Sequence, residues 1–197
     1  MHDHEALLDE LAGLARQTGG QLGWFADRMQ DLDRLDVASH TLPVISLLDA
    51  TLDLSNHQTR PVVQAICDNA HELNWQQSYT KSDGFNQFYL DNYGWFNLVS
   101  PEGIFLNDAM RVSIGYWGKG LDYVEHWHAP EEFYLILAGE AKFLSAGAAP
   151  RQCGPGDVVH HSPNQPHSFQ MNKGPLIAAA FWRGDGLHDK PDLKAST

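Results

Sequence analysis

Leu7, Leu8, Leu11, Leu14 and Ala15 recur at helical spacing and Gly19-Gly20 interrupts the run, so the chain is predicted to open with an amphipathic helix. Trp24, Phe25, Met29, Leu32 and Leu35 predict a second helix. A third is expected from Thr59-Arg60-Pro61, with proline early in the helix, carrying Val62, Val63, Ile66, Ala70 and Leu73. The apolar stretch from Leu42 to Leu54 is compatible with a short helix. Helical stripes of this kind are packing faces. Residues 1–78 are therefore expected to form a helical region that lies against the remainder.

From Tyr79 onward the period changes. Glycines and prolines become frequent, and short β-branched or aromatic runs alternate with turn residues. Strands are predicted at Phe96–Val99, Val112–Trp117, Tyr123–His128, Glu132–Leu137, Ala141–Leu144, Asp157–His160, His167–Met171 and Leu176–Trp182. Many short, evenly spaced strands predict an antiparallel sandwich or barrel over residues 79–197. The fold class is mainly β, with an N-terminal helical extension.

Composition narrows the partners. The 197 residues include 25 acidic against 13 basic side chains, a formal charge of -12. Such a field repels phosphate backbones and anionic membranes, so neither nucleic acid nor a membrane surface is an expected partner. No apolar run approaches the roughly 20 residues that span a bilayer. Two cysteines, Cys67 and Cys153, are too few for a disulfide framework. The opening Met1-His2-Asp3-His4-Glu5 lacks the basic and apolar regions of a secretory leader. A cytoplasmic protein, monomer or homodimer, is the expectation.

Five of the eleven histidines fall between positions 126 and 167. His126 and His128 are one residue apart, which places both on one face of a strand. Glu132 follows across a short Ala-Pro-Glu turn, Tyr134 shares its face, and His167 opens a strand with Phe169 and Met171 on its own face. Three imidazoles and a carboxylate converging in a barrel suit a borderline divalent metal, and burying them without one is costly. One divalent transition metal ion (zinc, iron or manganese) is therefore expected on the group of His126, His128, Glu132 and His167. His160 and His161 are expected at a loop or rim.

These residues carry a resemblance. Gly120-x5-His126-x-His128-x3-Glu132-x6-Gly139 resembles the first cupin motif, and Pro155-Gly156-Asp157-x8-Pro166-His167 resembles the second. The likeness implies a single cupin (double-stranded β-helix) barrel over about residues 95–183. Cupins host many activities, so the fold alone does not choose one. A finer likeness is to the cupin dimethylsulfoniopropionate (DMSP) lyases of the DddQ type. It rests on Tyr123 before His126-x-His128-x3-Glu132-x-Tyr134, on Gly94-Trp95-Phe96, on Gln165-Pro166-His167 and on Trp182. It implies cleavage of DMSP, a small zwitterion, to dimethyl sulfide and acrylate. It also implies His128, Glu132 and His167 as metal ligands, with His126 a fourth ligand or a substrate contact, Tyr134 as metal ligand and base, Tyr123 as a second catalytic residue, and Tyr123, His126 and Trp182 near the substrate.

The chemistry suits these residue types. A phenol of ordinary pKa is protonated at neutral pH, and a nearby cation lowers that pKa. Aromatic faces such as Tyr123, Trp127 and Trp182 attract onium groups. Strict alternation, however, puts Tyr123 opposite His126, so its role requires a bulge, with Gly118 and Gly120 nearby. Two rivals remain: an iron dioxygenase on the same ligands, and a non-catalytic cupin that binds a small effector.

Overall fold

The computed structural model describes residues 4–193, so the reading of Met1-His2-Asp3 as free of a leader falls outside it. Helix α1 spans His4–Thr18 and buries the predicted stripe of Leu7, Leu8, Leu11, Leu14 and Ala15. It stops where Gly19 takes a φ of 74°, a conformation that costs glycine little. Helix α2 is shorter than expected, Gln21–Ala26. Beyond it the chain pairs with a sheet edge: Leu106 N–H donates to Asp33 O and Leu35 N–H to Ile104 O, each at 2.8 Å. Leu32 and Leu35 owe their spacing to this edge, and tertiary pairing has overridden helical periodicity there.

Pro43–Leu47 and Asp49–Leu54 form 3-10 helices where a short helix was expected. Helix α3, Arg60–Asn69, carries Pro61 in its first turn and buries Val62, Val63 and Ile66. A helix not expected from the pattern, α4 (Gln87–Asp91), is capped by Asn86, whose side chain accepts from Tyr89 N–H at 2.8 Å. Among the described residues no helix is long and apolar enough to cross a membrane.

All eight predicted strands are present. They are β1 (Tyr93–Ser100), β3 (Met110–Trp117), β4 (Asp122–Trp127), β5 (Glu131–Gly139), β6 (Ala141–Ser145), β8 (Val158–His161), β9 (His167–Gln170) and β10 (Leu176–Arg183). Three strands of two or three residues join them at the edges: β2 (Phe105–Leu106), β7 (Arg151–Cys153) and β11 (Asp192–Leu193). The larger sheet runs β2-β1-β3-β10-β5-β8 and the smaller β11-β4-β9-β6-β7. All pairings are antiparallel except β1 with β2.

The larger sheet divides two cores. One face carries Phe133, Leu135, Ile177, Ala179 and Phe181 against Leu7, Leu11, Phe25, Val63 and Ile66 of the helices. The other carries Tyr134, Ile136 and Ala178 against Phe143, Phe169 and Met171 of the smaller sheet. Strand β5 is thus buried on both faces, which is why its apolar run shows no alternation.

Gly139 closes β5 with a φ of 73°, and a Cβ there would lie 1.8 Å from Pro175 O. Gly139→Ala combines backbone strain with a backbone clash and is expected to cost at least about 2 kcal/mol. The check is urea unfolding: the midpoint should fall with little change in slope, whereas a wild-type midpoint contradicts this packing.

Candidate metal centre

Four strands deliver the polar cluster. His126 lies on β4, opposite His167 at the start of β9. Glu132 is the second residue of β5, opposite His161 at the end of β8. His128 stands just past β4 in the turn to β5. All five side chains are buried. The ligand atoms of His126, His128 and His167 lie within 4.8 Å of one another, and so do those of Glu132, His161 and His167.

The backbone fixes the imidazoles. Nδ1 of His126 lies 2.9 Å from Val124 O, that of His128 3.0 Å from Pro130 O and that of His167 2.8 Å from Gln165 O. A carbonyl only accepts, so each Nδ1 carries the proton, and in the neutral ring Nε2 is a bare lone pair. His128 Nε2 and His167 Nε2 lie 3.2 and 3.1 Å from the same oxygen, Glu132 Oε2. The second carboxylate oxygen, Oε1, accepts from Trp182 Nε1 at 2.6 Å. His167 Nε2 is buried and makes no hydrogen bond in this geometry. Lone pairs and a carboxylate turned toward one another, with outer nitrogens anchored, form a donor set that fits a divalent metal ion.

Electrostatics of the metal-free cluster centre on Glu132. Burial pushes Glu132 up, but the adjoining His128 and His167 outweigh it and hold the carboxyl well below the usual range. Burial, with His167 adding to it, lowers His126 to about 3. The same two causes lower His161 to about 3. Burial and then Glu132 push the Tyr134 phenol well above its ordinary value. Burial and then the neighbouring Tyr79 do the same to Tyr123.

Tyr123 reaches the cluster by a bulge. Between Tyr123 and His126 strand β4 advances three residues while β9 advances two, from Phe169 to His167. The extra residue turns Tyr123 onto the His126 face, where the two rings lie 4.7 Å apart. Tyr123 OH also lies 3.4 Å from Tyr79 OH and 3.5 Å from Tyr93 OH. Trp182 stacks on His128 at 4.1 Å, and the Arg111 guanidinium lies over its ring at 4.8 Å. Trp127 is half-buried on β4 and pairs with Asp192.

His161 corrects the expectation of a rim residue. It is fully buried and stacks on His167 at 3.9 Å with a 12° interplanar angle. Its partner in the sequence, His160, is exposed, stacks on Phe133 and pairs with Glu131 at 2.8 Å. The signal was present in the alternation: His161 stands two residues after the inward Val159. Arg111, beside the cluster, carried no such signal.

Two facing, mainly antiparallel sheets that enclose a histidine–glutamate cluster able to hold a metal ion define a cupin-type barrel. Residues 21–178 match the dimethylsulfoniopropionate lyase family, a span that includes His126, His128, Glu132, Tyr134 and His167. The chain is 33% identical over 144 residues to the DMSP lyase DddQ of Ruegeria pomeroyi, covering 73% of this chain and 71% of that one. The crystal structure of the Ruegeria pomeroyi DddQ superposes with a TM-score of 0.88 at 29% identity, covering 96% of this chain and 95% of that one. A structure solved with the DMSP lyases RdDddP and RnDddQII gives a TM-score of 0.88 at 34% identity, covering 98% and 100%. This chain belongs to the DMSP lyase family.

Reconstituted protein is expected to hold one divalent ion per chain by elemental analysis, and Glu132→Ala or His167→Ala to hold less than a tenth of that. Full occupancy in both variants contradicts the ligand set. In metal-free protein, His126 and His161 titrate near 3 when folded against about 6.5 when unfolded. Their contribution is intact above about pH 6.5 and is lost as pH falls toward 3, at up to about 1.4 kcal/mol per pH unit per group. Denaturant unfolding between these limits should show a shallower slope for His161→Phe than for the wild type; equal slopes contradict a neutral buried His161.

Proposed function

We propose that this chain is a metal-dependent carbon–sulfur lyase that cleaves DMSP to dimethyl sulfide and acrylate, with Tyr134 as the base. The observation that carries the base assignment is the placement of Tyr134. It lies two residues beyond Glu132 on the inner face of β5 and lines a small cavity with Tyr93, Trp117, Tyr123 and Trp182. His128, Glu132 and His167 are the ligands in this reading, and the ring geometry supports His126 as a fourth. Zinc, iron and manganese all suit such donors.

A bound divalent cation supplies Lewis acidity toward a substrate carboxylate and lowers the pKa of an adjoining phenol. The protein's own part is proton transfer and enclosure. Tyr134 takes the proton from the carbon next to the carboxylate, and that electron pair becomes the new carbon–carbon double bond. The carbon–sulfur bond breaks, and its pair leaves on sulfur as neutral dimethyl sulfide. The proton stays on the Tyr134 oxygen until it passes to solvent, for which Tyr123, linked to Tyr79 and Tyr93, is the neighbouring hydroxyl relay. The aromatic wall excludes water and offers π faces to the sulfonium. Burial raises the Cys67 thiol to about 11 and also raises Cys153, and both cysteines are free. The reading puts the enzyme in the cytoplasm, where such thiols stay reduced.

Headspace detection of dimethyl sulfide from metal-loaded protein and DMSP tests the activity, and it should proceed without oxygen. Tyr134→Phe keeps the ring and removes the hydroxyl, so turnover is expected to fall by about 10²–10⁴-fold with the metal retained. Near wild-type turnover in that variant contradicts the mechanism, and an oxygen requirement favours a dioxygenase.

A further inference from the structure

Arg111 on β3 is partly buried and makes no ion pair among the described residues. Its guanidinium lies over two indole rings, Trp95 at 4.9 Å and Trp182 at 4.8 Å. Neutral acceptors hold one side: Nε donates to Asn97 Oδ1 and Ser113 Oγ, both at 3.0 Å, and Nη1 to Leu187 O at 3.3 Å. No described residue accepts from Nη2. A guanidinium in this setting ordinarily meets a carboxylate or phosphate, because desolvated charge without a counter-charge is costly.

The cavities give that counter-charge a place. Arg111 lines the small inner cavity, where Glu132 is the other charged residue, and Glu132 is already engaged by two histidines and Trp182. It also lines an outer cavity of about 280 Å³, which shares Ser78, Trp95 and Pro191 with the inner one. Arg111 therefore stands where the two cavities adjoin, in a chain whose formal charge of -12 otherwise disfavours anions. Burial lowers its pKa, while Tyr123, Tyr93, Glu132 and Tyr134 act in the other direction, so these groups share its electrostatic neighbourhood.

We propose that Arg111 is a carboxylate receptor of this site alongside the metal: its free guanidinium edge binds the carboxylate of the substrate and of the unsaturated product, which the cation would share. The inference deepens the lyase reading and rests on it for the identity of the substrate. With Trp95 and Trp182 engaged by Arg111, the sulfonium is left to the inner wall of Tyr93, Trp117 and Tyr123. Arg111 thereby orients the zwitterion and selects for an acid over its uncharged amide.

The test uses propionate, which has the carboxylate but no leaving group, against propionamide, which has neither charge nor leaving group. Binding is measured by calorimetry on the full chain, with and without metal. Wild-type protein should bind propionate at least tenfold tighter than propionamide even after chelation. Arg111→Gln should abolish that preference, and Arg111→Lys should keep it with severalfold weaker binding, because the fork is lost and the charge stays. A purely structural role would lower stability and leave the acid-to-amide ratio unchanged. An unchanged ratio in Arg111→Gln overturns the proposal. Should that variant not fold, loss of the preference from chelated wild-type protein overturns it equally. Failure of the lyase reading registers separately, since it appears as absent dimethyl sulfide and leaves propionate binding intact.

Discussion

Glu132 is an ionised carboxylate with no exposed surface, and every other feature of the site answers to it. Left alone in the barrel, such a charge costs several kcal/mol. Trp182 satisfies one oxygen, and the Nε2 atoms of His128 and His167 face the other. Those imidazoles are anchored through Nδ1 by backbone carbonyls, so it is Nε2 that each turns to the carboxylate. The carboxylate needs positive charge on the histidine side, which a metal ion on those Nε2 lone pairs would supply.

The same burial sets the chemistry of Tyr134. In a dry barrel beside Glu132 its phenol is held protonated, and the residue is a poor base. In the proposed mechanism a cation on the histidines would reverse the sign of the local potential, relieving Glu132 and activating Tyr134. Placement depends on the packing around β5. Helices cover Phe133 and Leu135 on one face while Glu132 and Tyr134 point inward on the other, so the helical layer fixes the strand that carries both groups. Arg111 adds a positive charge on the substrate side, in the inner cavity it shares with Glu132 and the tyrosines.

Much of this was legible in the sequence because strands impose a period of two. His126 with His128, and Glu132 with Tyr134, could be assigned to shared faces from spacing alone, and all eight longer strands were predicted. What spacing could not supply is the bulge that turns Tyr123 toward His126, since an extra residue is visible only in the pairing with β9. Motif spacing points His161 to a rim, whereas its alternation with the inward Val159 carries it into the core. The second helix was overextended because Leu32 and Leu35 mimic a helical stripe while serving a sheet edge. Arg111 lies between Met110 and Val112 on a strand, and only the fold shows that its guanidinium rests over two indoles that stand far from it in sequence.

The central claim is that a cation converts the Tyr134 phenol from a buried acid into a base. Ultraviolet difference spectroscopy of metal-free protein titrated with the divalent ion near neutral pH tests it most directly. The account predicts a phenolate band that grows to one tyrosine per chain as the site fills, and that is absent from Tyr134→Phe. Stoichiometric metal binding with no phenolate band, or the same band in Tyr134→Phe, would contradict it.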